Sequence, residues 1–197
     1  VNRSWYGRIG WTYFLLPVVP IVALVVWWRR TFRRRTKFAA VGAPIIVVGG
    51  LTAGGTGKTP TLIALARYLS GRGFHVGVVT RGYGRKPGEG GLLVEIDHSA
   101  EKVGDEPLLI KRSVSTASVV VGDSRLASAR NLCREHGASV ILSDDGMQHY
   151  ALPRDFEIAV LDADRRFGNG WLLPVGPLRE PVKRLNSVDF LLERNGS

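Results

Sequence analysis

The stretch PIIVVGGLTAGGTGKTP, Pro44 to Pro60, decides the fold. An apolar, β-branched run from Ile45 to Val48 leads into a turn with glycines at positions 49, 50, 54, 55 and 57. Lys58-Thr59 then opens a helical pattern over Thr61 to Leu69. Strand, glycine-rich turn and helix in that order are the layout of a P-loop. Glycines let successive backbone N–H groups converge on a phosphate chain, because side chains would block the approach and the turn requires positive φ. The helix N-terminus adds partial positive charge, Lys58 is placed to reach outer phosphates, and the Thr59 hydroxyl to join the shell of a Mg²⁺ ion. The expected ligand is a nucleoside triphosphate, held by Thr52, Gly54, Gly55, Thr56, Gly57, Lys58 and Thr59. Thr52 departs from the strict pattern, which asks for glycine five residues before Gly57. The competing reading is a glycine-rich connection that binds nothing, and Gly-Lys-Thr at the predicted helix start weighs against it.

Downstream, the pattern predicts buried strands over Phe74–Thr80, Leu92–Ile96, Ala117–Val121, Ser139–Asp144 and Glu157–Asp162, with helices over Pro107–Arg112 and Ser124–His136. Strands at this spacing with helices between them mean a parallel sheet with right-handed crossovers. The fold class is α/β, a doubly wound, P-loop NTPase-like and mostly parallel sheet. RGYGRKPGEGG, Arg81 to Gly91, is too rich in glycine for a regular element and forms a long loop at a strand's carboxyl end, where open α/β sheets bind ligands. RRFGNGWLLPVGPLREP, Arg165 to Pro181, reads as an ordered irregular loop fit to wall a site.

Upstream lies a different composition. WTYFLLPVVPIVALVVWW, Trp11 to Trp28, carries no charge and as a straight helix would run ~27 Å, just enough to cross a hydrocarbon core. Trp5, Tyr6, Trp11 and Tyr13 at one end and Trp27 and Trp28 at the other resemble interfacial belts, and RRTFRRRTK follows. The chain is therefore expected to divide into a membrane-associated segment, 1–40, and a P-loop kinase core, 41–197. The positive-inside rule keeps the core cytoplasmic. Pro17 and Pro20 leave open whether the segment crosses the bilayer or dips into one leaflet. Of the net charge of +10, eight units come from residues 1–40, which hold eight Arg or Lys and no acid. Only +2 remains beyond them, and no nucleic-acid module is evident, so a nucleic-acid partner is not expected. A single cysteine, Cys133, excludes an intrachain disulfide and suits a reducing compartment.

Asp144 and Asp145 end a buried strand, where a P-loop enzyme keeps the carboxylate of its metal site; with Thr59 they are the candidate Mg²⁺ ligands, against a plain solvated Asp-Asp-Gly turn. Asp105 and Glu106 offer a second pair, able to take a hydroxyl proton or merely to cap a helix. His149 follows four residues after Asp145. Arg81, Arg85, Lys86 and Arg125 could neutralise phosphate or serve as solvated surface charge.

Together these motifs resemble the tetraacyldisaccharide 4′-kinases of lipid A synthesis: GGTGKTP (Gly54–Pro60), RGYGR (Arg81–Arg85), VGDEP (Val103–Pro107), DDGMQH (Asp144–His149) and FGNGWLLPVGPLREP (Phe167–Pro181). The resemblance implies ATP- and Mg²⁺-dependent phosphorylation of the 4′-hydroxyl of a tetraacylated disaccharide 1-phosphate at the cytoplasmic face of the inner membrane. A monomer is expected, although sequence does not decide the oligomeric state. It implies Asp105 as general base with Glu106 beside it. Asp145, His149, Arg125 and Arg179 become catalytic candidates, and Arg81, Tyr83 and Glu180 substrate contacts. Gly50 stands where the family commonly has Asn, an expected loosening of the loop. Family members also continue through a second lobe that closes over ATP, so the sequence reads as an N-terminal portion. The alternative is a membrane-tethered P-loop ATPase or switch acting on a protein partner.

Overall fold

The computed structural model of the protein describes residues 2–7, 10–34, 40–82 and 91–195, leaving aside the side chains of 2, 3 and 32–34. In chain order the helices are α1 Asn2–Tyr6, α2 Val19–Arg34, α3 Lys58–Gly71, α4 Ala100–Val103, α5 Asp105–Ser113 and α6 Arg125–His136. The strands are β1 Ile45–Gly49, β2 Val76–Thr80, β3 Leu92–Leu93, β4 Ser118–Val121, β5 Val140–Asp144, β6 Phe156–Asp162 and β7 Phe190–Arg194. They form one sheet in the order β3-β4-β2-β5-β1-β6-β7, parallel throughout except for the edge strand β3.

The continuous apolar runs follow from burial on both faces. Val48, Val78, Leu142 and Val160 point to a layer with Leu62 and Ala66 of α3 and Ile110 of α5. Their neighbours Val47, Val79, Ile141 and Ala159 point the other way, onto Leu132 of α6 and Leu172 and Leu178 of the irregular loop. Expected and observed strands agree within two residues except at β3. There Val94 N–H still donates to Val119 (2.8 Å), but the chain then turns, His98 N–H donating to the Glu95 carbonyl (3.2 Å). Helix α5 begins two residues before its proline, because Pro107 occupies the third helical position.

The apolar N-terminal stretch is a 3-10 helix, Trp11–Val18, running into α2. Pro17 lies in the 3-10 part and Pro20 in the first turn of α2, where a missing N–H is tolerated. Trp11–Thr31 is long and apolar enough to cross a membrane by length and composition. Val19 and Ala23 pack on the core, whereas Trp11, Phe14, Ile21, Leu24, Trp27 and Trp28 are exposed. Arg30 Nη2 donates to Ser187 Oγ at 3.2 Å and ties α2 to the 3-10 helix Val182–Ser187.

Candidate active site

The parallel register sets the site at the carboxyl edge of the sheet. Val48 of β1 lies opposite Asp144 of β5, so the P-loop and the acid pair leave adjacent strands at one level. Gly54 (φ +111°) and Gly57 (φ +79°) take backbone conformations that a side chain resists, and Gly57 is the N-cap of α3. Thr52 needs no such freedom: it is buried and pairs in antiparallel fashion with Leu178, an extended geometry any residue adopts. Gly50 is buried, with its carbonyl accepting from Gln148 Nε2 at 3.2 Å.

Asp145 is the junction of the site. Arg179 Nη1 donates to its Oδ2 at 2.7 Å, and Lys58 Nζ stands 3.8 Å from its Oδ1 while donating to the Gly54 carbonyl at 3.2 Å. Burial alone would raise its pKa, but Lys58, Arg179 and Arg125 together hold it below the usual carboxylate range. Its backbone is left-handed, φ +45°, at a position immediately after the strand. Asp144 is the opposite case. Only 2% exposed, it is pushed up to about 7, by burial first and then by Glu106 and Asp145, with Arg125 and Lys58 opposing.

Arg125, the first residue of α6, is buried and donates from Nη2 to the Asp144 carbonyl at 2.7 Å. Its Nε and Nη1 have no hydrogen-bond partner among the described residues. Burial lowers it to about 10 against the pull of Asp144 and Asp145. His149 is lowered to about 4, by burial and then by Arg125 and Arg81, so its imidazole is neutral at pH 7. Arg81 follows β2 and its charge is felt by both Arg125 and His149. The helix-cap reading of Asp105 fails: Gly104 (φ +94°) is the N-cap, and Asp105 and Glu106 are the first two helical residues, both exposed. Glu106 reaches Asp144 electrostatically. Thr59 is half-buried in the first turn of α3, and Gly55 is exposed at the tip of the loop. Thr56 is buried, with no partner for its hydroxyl among the described residues. Tyr83, Arg85 and Lys86 lie outside the described residues.

Behind Arg179 lies a buried charge cluster. Glu180, 1% exposed, accepts from Gln148 Nε2 (3.2 Å) and from the Tyr150 hydroxyl, and its Oε2 lies 3.4 Å from Arg184 Nε. Arg184, fully buried, also grips both carboxylate oxygens of Glu157, which Arg154 holds from the other side. Two guanidinium groups thus face two carboxylates. The expected substrate contact at Glu180 does not fit this placement, because its oxygens are turned inward to Gln148, Tyr150 and Arg184.

The family model described as LpxK, tetraacyldisaccharide-1-P 4′-kinase, matches residues 11–197. The chain belongs to that family. It is 43% identical over 203 residues to a tetraacyldisaccharide 4′-kinase of Shewanella denitrificans, covering 100% of this chain and 59% of that relative. A tetraacyldisaccharide 4′-kinase of Legionella pneumophila (strain Corby) is 42% identical over 197 residues, covering 100% of this chain and 61% of the relative. The chain therefore spans about three-fifths of the length of these curated relatives. The crystal structure of an "apo" form of LpxK from Aquifex aeolicus in complex with ATP superposes with a TM-score of 0.83 at 33% identity, covering 93% of this chain and 59% of that one.

In this chain, the residues that the motifs do not contain are Tyr150, Arg154, Glu157, Arg184 and Arg194, and Gln148 lies inside DDGMQH without being singled out. A Cβ on Gly57 would lie 2.7 Å from Arg194 Nη1, so the end of β7 brings a cation over the N-cap of the P-loop helix. The available signal was an acid, Glu157, near the start of a strand that is otherwise apolar up to its terminal Asp162. The oxygens of Thr59, Asp144 and Asp145 suit a hard divalent cation such as Mg²⁺, which takes few protein ligands and completes its shell with phosphate and water. Asp144 Oδ1 is buried without a hydrogen-bond partner among the described residues, and its pKa is raised by burial first and then by the neighbouring acids Glu106 and Asp145. These residues fit such an ion.

Proposed function

We propose that the protein transfers the γ-phosphoryl group of ATP to the 4′-hydroxyl of a tetraacyldisaccharide 1-phosphate, at the cytoplasmic face of the inner membrane. The observation that carries this reading is the convergence of Lys58 and Arg179 on Asp145 beside the P-loop, in a chain of this family. The glycine-rich turn and the start of α3 offer backbone N–H groups to the phosphates, and Lys58 supplies charge to the outer ones. Arg125 adds two unpartnered guanidinium nitrogens near the acid pair. Asp105 takes the hydroxyl proton as the 4′-oxygen bonds to phosphorus and the bond to the β–γ bridging oxygen breaks, leaving ADP. Thr59, Asp144 and Asp145 are the residues to hold Mg²⁺, which when bound neutralises phosphate charge. Arg179 and Lys58 keep Asp145 ionised and oriented. His149 stays neutral and does not add to the local positive charge. The exposed apolar face of Trp11–Thr31 meets the bilayer that carries an acylated substrate, and the aromatic ends suit the interface.

The test is phosphorylation assayed with the full-length protein in mixed micelles containing ATP, Mg²⁺ and the acylated disaccharide 1-phosphate. The expected product carries phosphate at the 4′ position, and Asp105→Ala lowers kcat far more than ATP affinity. Nucleotide hydrolysis indifferent to the disaccharide, with no phosphorylated lipid, overturns the reading. Undiminished turnover by the Asp105 variant removes that residue as base.

A further inference from the structure

The irregular loop is bonded on both sides. Toward the P-loop, Ala53 N–H donates to the Pro177 carbonyl at 2.7 Å, Arg179 N–H donates to the Leu51 carbonyl at 2.6 Å, and Leu178 pairs with Thr52. Toward the N-terminal segment, Trp5 Nε1 donates to the Pro174 carbonyl at 3.1 Å and Thr12 Oγ1 to the Val175 carbonyl at 3.0 Å. Asn169 completes that side: its N–H donates to the Trp5 carbonyl (2.8 Å), and its Nδ2 to the carbonyls of Ser4 (3.4 Å) and Val175 (3.1 Å).

Two glycines make this packing possible. A Cβ on Gly168 would lie 2.6 Å from the Trp5 carbonyl oxygen, and one on Gly176 would lie 2.1 Å from Asn169 Oδ1. Thr12 is 1% exposed, the one buried residue of the 3-10 helix Trp11–Val18, while Trp11 and Phe14 beside it are exposed. A hydroxyl turned inward from an apolar stretch must find an acceptor or lose a hydrogen bond. It finds one two residues from the carbonyl that the P-loop uses.

We propose that the apolar N-terminal segment positions the phosphate-binding loop as well as anchoring the protein, with Thr12 as the positioning residue that acts through Val175 and the strap of residues 171–180. This rests on the kinase reading for its substrate. Short, hydrogen-bonded backbone carries the constraint: Val175 is held by Thr12 and Asn169, Pro177 holds Ala53, and Arg179 holds Asp145. Loss of the Thr12 bond loosens the strap, so the P-loop amides are less well arranged before nucleotide arrives. Membrane partition depends on the exposed face, which Thr12 does not join.

The test uses the full-length protein with Thr12→Val, which keeps volume and apolar character, and Thr12→Ser, which keeps the hydroxyl. Three quantities are read: ATP affinity by equilibrium dialysis without lipid acceptor, kcat and KM in mixed micelles, and co-sedimentation with phospholipid vesicles. For Thr12→Val the dissociation constant and the KM for ATP are expected to rise about five-fold, the worth of one hydrogen bond. Vesicle binding and the KM for the acceptor stay unchanged, and Thr12→Ser returns ATP binding to within about two-fold of the parent. Parental ATP affinity and turnover in Thr12→Val overturn the inference, as does a loss that tracks reduced vesicle binding. Asn169→Ala, which cuts the strap from the other contact, is expected to weaken ATP binding in the same direction and covers the case of a poorly folded Thr12→Val. Failure of the parent to phosphorylate the disaccharide, with Thr12-sensitive ATP binding intact, would overturn the kinase reading alone.

Discussion

Arg179 Nη1 donates to Asp145 Oδ2 at 2.7 Å, across 34 residues of sequence, and so joins the irregular loop to the acid pair. Lys58 approaches the other oxygen of the same carboxylate, so Asp145 is held between the P-loop and the loop that flanks it. Arg179 Nη1 also donates to Gln148 Oε1 at 3.4 Å, so truncation by Arg179→Ala frees both the carboxylate and that amide, and is expected to lower kcat/KM about 10- to 100-fold. Arg179→Lys keeps the charge without the planar fork and should fall between. In a double-mutant cycle with Asp145→Asn the two losses are expected to be non-additive by about 1 to 2 kcal/mol. Additive losses in kcat/KM would mean that the contact does not matter to turnover.

Arg184 is fully buried between Glu157 and Glu180. Removing it leaves two buried carboxylates short of a cation, a far larger penalty than the net worth of the pairs themselves. Arg184→Met is expected to cost about 3 to 5 kcal/mol of stability in urea unfolding. The triple variant Arg184→Met, Glu157→Gln, Glu180→Gln removes the charges together and should recover most of that loss. If the single and triple variants unfold at the same midpoint, the cluster is not the source of the penalty.

How far the sequence discloses all this depends on how local each signal is. Strands β1, β2 and β5 are legible because a parallel strand buried on both faces reads as a near-continuous apolar run, with polar residues such as Thr80 and Asp144 only toward the carboxyl end. The P-loop is legible because its glycines and Lys58-Thr59 are contiguous, and the acid pair because it ends such a strand. The Glu157–Arg184 grip is not, since its partners are 27 residues apart and Arg184 lies in VKRLNS, a stretch that reads as surface. Glu180 misleads for the same reason: beside Arg179 it looks like a second site residue, yet successive side chains turn opposite ways, one to Asp145 and one into the core. Thr12 hides within an apolar run whose overall character suggests lipid, because composition does not tell which side of a helix meets protein.

Asp144 and His149 give opposite pH dependences. Asp144 titrates near 7 in the folded protein against an ordinary value near 4, so between those pH values the native state keeps a proton the unfolded chain has lost. Its contribution to stability therefore falls as pH rises through that window, by ~4 kcal/mol at most. His149 titrates near 4 against an ordinary 6.5, so there the unfolded chain binds a proton the native state refuses, and stability rises with pH. From about pH 4 to 6.5 the two slopes oppose each other. Relative to the parent, His149→Gln should make stability fall more steeply with rising pH across that range, and Asp144→Asn should make it rise. Urea midpoints at about pH 4.5 and 6.5 decide the matter, and parallel profiles for all three proteins would contradict both assignments.

Gly49 at the end of β1 touches the acid turn directly: a Cβ there would lie 2.6 Å from Met147 Cγ and 3.2 Å from the Met147 backbone nitrogen. Met147 is fully buried, and the turn that carries it follows Asp144, the last residue of β5, and begins with Asp145, so the missing side chain sets the gap between P-loop and carboxylates. Gly49→Ala is expected to destabilise by about 1 to 3 kcal/mol through overpacking and, by pushing the acid turn away, to weaken turnover more than ATP binding. Met147→Ala alone leaves a cavity and costs about 2 to 5 kcal/mol. If close packing is the cause, the double variant loses less than the sum of the two, because the alanine at 49 fills part of the space vacated at 147. Urea midpoints of the four proteins give that coupling directly. Strict additivity would show that Met147 has other ways to yield, and that the glycine answers to the backbone alone.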